Sequence, residues 1–107
     1  MPRLYSNELI KSVEKRYHSH PLLLTACFAR ACIKANLPAM YVAAALRVTR
    51  MTVHNWFRGS PLRDKNNKLV EVFTDLVESD LAKGILPAKS YSEARAYLED
   101  MTGRKIK

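Results

Sequence analysis

Between Leu37 and Gly59 the chain reads LPAMYVAAALRVTRMTVHNWFRG, and this segment constrains the fold more than any other. Pro38 suits the start of a helix ending near Leu46, and Gly59 suits the end of a second helix over residues 50–58. The three residues between them leave room only for a tight turn. Two short helices pack at a steep angle when the residues between them are small and apolar. Ala43 supplies the small residue, and Val42, Leu46, Val48, Val53 and Trp56 supply an inward set with no gap. Thr49 stands where an N-cap hydroxyl is wanted. The segment is thus expected to be a helix-turn-helix.

The rest of the chain keeps helical spacing, with no sustained two-residue alternation of the kind strands require. An all-α fold of six helices is expected. A first helix over 6–18 carries Leu9, Ile10, Val13 and Tyr17 on one stripe. Pro21 is expected to open a second over 22–35, which buries Leu24, Phe28, Ala31, Cys32 and Ala35 and closes at a left-handed Asn36. Ser60-Pro61 is expected to start a long fifth helix over 61–83, whose apolar positions Leu69, Val72, Phe73, Leu76, Val77 and Leu81 keep helical spacing, with Gly84 as its stop. Ser90 and Glu93 have the form of a capping box that opens a sixth helix to Met101, followed by a frayed basic tail over 102–107. A chain of 107 residues has room for one such domain, residues 1–107. No apolar run approaches membrane-spanning length and the N-terminus lacks a signal-peptide core, so a cytoplasmic, nucleoid-associated location is expected.

Charge is distributed unevenly. The net charge of +8 lies wholly in residues 1–63, which hold ten Lys or Arg against Glu8 and Glu14. Residues 64–107 hold eight of each sign, and the 49 residues between Glu14 and Asp64 contain no acid. A face with nothing to cancel its positive potential suits a polyanion.

With the inward residues assigned, Arg50, Met51, His54, Asn55 and Arg58 are left outward on the second helix of the pair. Such a helix enters the major groove with its first residues at the base edges. Arg50 has the donors for guanine O6 and N7, Asn55 matches adenine N6 and N7, and Met51 can pack on a thymine methyl. The Thr49 hydroxyl is a further candidate for base contact, and Thr52, His54 and Arg58 are candidates for the phosphate backbone.

Residues 28–59 resemble the DNA-binding domain of the Cro/C1-type (lambda repressor-like) phage repressors, from that family's first helix through its recognition helix without insertion. The close match covers about a third of the chain. The resemblance implies a repressor-like core over 21–84, with 1–20 an added N-terminal helix and 85–107 a C-terminal extension. The family's usual phosphate-clamping glutamine is replaced by Ala39, which leaves that contact to Lys34 or Tyr41. The family's turn glycine is replaced by Arg47, at a left-handed backbone cost but with a charge to aim at the DNA backbone. It also implies a double-stranded DNA partner, a palindromic operator and a homodimer. Leu86, Tyr91, Tyr97, Leu98 and Met101 are the apolar excess from which a dimer surface in the C-terminal extension is expected.

His18, His20, His54, Cys27 and Cys32 show no metal-ligand spacing, and the two cysteines are read as reduced, small core residues. No phosphate loop, nucleophile motif or paired carboxylate is present. No enzymatic activity, metal, cofactor or small-molecule ligand is expected. Two other readings stand beside the regulator: a DNA-recognition subunit of a larger assembly, such as a small terminase, and a host-takeover inhibitor or antitoxin that offers its basic face to an acidic protein.

Overall fold

The computed structural model describes residues 5–106. Residues 1–4 of the N-terminal addition and Lys107 of the tail lie outside the described residues. Six α-helices and no strand occur among them: α1 (Asn7–Ser19), α2 (Leu24–Lys34), α3 (Ala39–Leu46), α4 (Arg50–Phe57), α5 (Asp64–Ala82) and α6 (Tyr91–Thr102). The helix α2 is the hub and packs against α1, α4 and α5, while α3 packs against α4 and α6. None of these helices is long and apolar enough to cross a membrane.

Phe28, fully buried on α2, holds the hub together. Its ring centroid lies 5.7 Å from Trp56, 5.7 Å from Phe57 and 5.8 Å from Phe73, so one side chain joins α2, α4 and α5. Trp56 meets it edge-on, a favoured aromatic geometry. Phe57 has no exposed surface, and full burial of such a side chain is worth about 1.5–3 kcal/mol. Its core role escaped the reading of the inward stripe, which stopped at Trp56.

Four of the six helix C-terminal ends follow one recipe. Asn36, Arg47, Gly59 and Gly84 all have positive φ. At each, the amide after that residue reaches back to a carbonyl five residues earlier: Leu37 to Cys32 (3.1 Å), Val48 to Ala43 (3.0 Å), Ser60 to Asn55 (2.9 Å) and Ile85 to Asp80 (3.0 Å). This is the Schellman closure of α2, α3, α4 and α5. The left-handed Arg47 expected in the turn is present, at φ 60° and ψ 42°.

Several expectations need correction. Pro21 does not open α2. It follows His20 in a turn closed by the Leu23 amide on the His20 carbonyl at 3.1 Å, since its fixed φ suits the second position of a turn equally well. Ser60-Pro61 does not start α5, which begins at Asp64 after an extended segment that packs Leu62 against the core. On α5 the buried set is Val70, Phe73, Thr74 and Val77, whereas Leu69, Val72 and Leu76 stand open. That helix is apolar on two sides, and periodicity alone does not say which faces inward. Val48 and Cys27 are half-buried, not fully inside.

The C-terminal expectations shift most. Leu86 and Leu98 are core residues, 3% and 0% exposed, and are unavailable as a dimer surface. The segment before α6 docks on the end of α2, with the Ala88 amide on the Ala35 carbonyl at 2.9 Å. The tail is anchored, not frayed: Ile106 is 4% exposed and its amide donates to Glu99 Oε2 at 2.7 Å. The N-terminal addition is likewise part of the core, through Val13 and Tyr5.

Candidate nucleic-acid interface

The helices α3 and α4 are joined by Arg47-Val48-Thr49. The inward residues Val42, Ala43, Leu46, Val53 and Trp56 are all buried. Thr49 caps α4, accepting the Thr52 amide on Oγ1 at 3.1 Å. The Thr49 and Thr52 hydroxyl oxygens are 2.8 Å apart. One hydroxyl proton is spent between them, which leaves the other free to point outward.

Arg50 and Met51 project from the first turn of α4 and are exposed, Met51 to 64%. Arg58 at the far end is also exposed, and His54 and Asn55 between them are half-buried. The Asn55 backbone carbonyl accepts from the Arg58 and Ser60 amides and so closes the end of α4. Of the lysines and arginines in residues 15–63, only Arg30 forms an ion pair among the described residues, with Glu14 at 3.5 Å. Arg47, Arg50 and Arg58 therefore bracket α4 with uncompensated charge. Partial burial, then Arg58, then Arg50 hold His54 below the ordinary imidazole value, so it is neutral at pH 7.

A groove of about 200 Å³ beside α4 is lined by Arg50 and His54 together with Tyr5, Met40 and Tyr91. Tyr91 begins α6, and no signal in the sequence announced that it would stand beside α4. Of the other backbone-contact candidates, Tyr41 is half-buried on α3. Lys34 lines a different groove, with Tyr17, Arg30 and Glu78.

Two arginines outside the helix pair hold its helix ends. Arg16 of α1 donates from Nη1 to the Phe57 carbonyl at 2.6 Å and from Nη2 to the Arg58 carbonyl at 2.7 Å. Arg104, after α6, donates from Nη2 to the Ala45 carbonyl at 2.7 Å and the Ala44 carbonyl at 3.3 Å. A Schellman closure leaves the last carbonyls of a helix without partners, and a cation there also complements the helix dipole. Gly59 makes the first clamp possible, because a Cβ at that position would lie 3.0 Å from Arg16 Cζ. Neither arginine was singled out in the sequence, where each reads as one more surface cation.

Among the described residues, no three His, Cys, Asp or Glu side chains group closely enough to hold a metal ion. Both cysteines are free. No protein-family model, no curated protein and no solved structure matches this chain.

Proposed function

We propose that the protein is a sequence-specific double-stranded DNA-binding regulator of the lambda repressor-like kind, a repressor that occupies a palindromic operator as a homodimer. In this reading α4 lies in the major groove. Arg50, Met51 and Asn55 read bases, with the free hydroxyl proton of the Thr49–Thr52 pair beside them. Arg47, Arg58 and Lys34 meet phosphates, as do Tyr41 and His54. One observation carries the reading: α4 is bolted to the core through Val53, Trp56 and Phe57, while its opposite face offers Arg50 and Met51 to solvent. A rigid helix with an unpaired arginine and an exposed apolar side chain at its start is what base-edge readout needs.

Selection from a random duplex library tests this, followed by fluorescence anisotropy of the winning duplex against scrambled DNA at physiological salt. A palindromic winner bound at least about a hundredfold better supports the regulator, since specific sites exceed non-specific ones by about 10³ or more in such proteins. Enrichment of no sequence would defeat it and return the basic face to an acidic protein partner. A ring of many copies bound to DNA would favour the packaging-type subunit.

A further inference from the structure

The solvent side of α5 carries apolar surface that the fold leaves open. Leu69, Val72 and Leu76 are 45%, 44% and 46% exposed. They stand at i, i+3 and i+7, on one face of a helix with about 3.6 residues per turn. A groove of about 360 Å³ runs beside them, walled on its far side by Ala45, Leu46 and Met101. Scattered apolar side chains on a surface need no explanation, but a contiguous stripe along a groove marks an interface. It is not the groove that Arg50 and His54 line.

The charges beside the stripe say what covers it. Lys68 and Asp75 border the same flank, opposite to the leucines, and both are exposed. Lys68 lies four residues before Val72 and Asp75 three after it. In an antiparallel pair of helices related by a two-fold axis at Val72, each residue meets the residue of its own flank that lies at nearly the same distance on the other side of that position, three residues against four. Leu69 then meets the second copy's Leu76, Lys68 meets the second copy's Asp75, and Val72 meets itself. Every contact off the axis occurs twice, as a self-complementary interface requires. A parallel pairing would instead set Lys68 and Asp75 against the leucine flank. The existing partner of Lys68, Glu71 at 3.4 Å, is an exposed pair within the same helix and holds it only weakly.

We propose that α5 is the homodimer contact, with two copies of the chain pairing through antiparallel α5 helices about an axis at Val72. The proposal rests on the homodimer of the function proposed above and takes over the role expected of the C-terminal extension. An interface of one helix face is at the small end of the specific range, so association in the micromolar range is expected.

Sedimentation equilibrium of the full chain without DNA, at about 10–100 µM, tests it. The wild type is expected to dimerise. Val72→Glu is expected to be monomeric with unchanged helical circular dichroism and thermal transition, because the site is exposed. Lys68→Glu and Asp75→Lys are each expected to weaken association about tenfold by setting like charges opposite each other twice. An equimolar mixture of these two variants is expected to recover the dimer, since both cross-pairs are again of opposite sign, and the double variant is expected to recover it alone. A wild type that stays monomeric, a Val72→Glu variant that still dimerises, or single variants that the mixture does not rescue would each overturn the proposal. A chain that dimerises as described but enriches no duplex removes the regulator and keeps the contact; a monomer that selects an asymmetric site does the reverse.

Discussion

Arg50 and His54 share one groove. On the best duplex, Arg50→Ala is expected to cost about 1–3 kcal/mol and to relax base preference at one position, as anisotropy on a panel of single-base variants would show. Equal loss on every duplex would reassign Arg50 to phosphate. His54 takes up its proton only below the ordinary value of 6.5. The unfolded chain therefore binds that proton first, so the contribution of His54 to stability is intact above about pH 6.5 and is lost as pH falls through it. DNA works the other way. A nearby phosphate favours imidazolium, so binding takes up a proton. Affinity is expected to rise on going from about pH 7.5 to 5.5, and to rise less in His54→Asn. Equal pH profiles for the two proteins would remove His54 from the phosphate contacts. At this scale the left-handed Arg47 was legible only through the resemblance to the phage repressors, which favour glycine at that place in the turn.

The helix pair is held at both exits by groups from elsewhere. Arg16→Ala removes two hydrogen bonds to carbonyls at the end of α4, and is expected to cost about 1–3 kcal/mol in a denaturant unfolding curve. Under the proposed function it is also expected to weaken specific DNA more than scrambled DNA, because α4 loses its fixed seat. A variant that unfolds like the wild type would show that water serves those carbonyls as well. Capping signals were readable at Thr49 and Ser90, each of which accepts the amide three residues on and stands in the sequence before a periodic run; Ser6, placed inside the first helix by its spacing, caps α1 in the same way. The arginine clamps were not readable, because nothing local distinguishes a guanidinium that reaches a distant helix end from one in solvent. On α5 the failure had another cause. With apolar residues on two faces, only the position of α2 decided that Val70 and Val77 would be covered and Val72 left open.

For the molecule as a whole, the two terminal segments cost more to remove than their position implies. A chain ending at Gly84 would uncover partners of Leu86, Ala94, Leu98 and Ile106, all at most 4% exposed, and would release Arg104 from α3. A loss of about 5 kcal/mol or more is expected, a large part of a small domain's stability. Thermal unfolding would lose its cooperative transition; an unchanged transition would mean that residues 5–84 form a domain by themselves. The clamps on α3 and α4 span 59 and 41 residues of chain. A graft of Arg50, Met51 and Asn55 onto another scaffold would carry their chemistry but not their aim. Conversely, changes at Arg16 or Arg104, neither of them at the candidate base-reading surface, offer a way to retilt α4 and, if the proposed function holds, to retune which sequence is preferred with every candidate base-facing side chain left as it is.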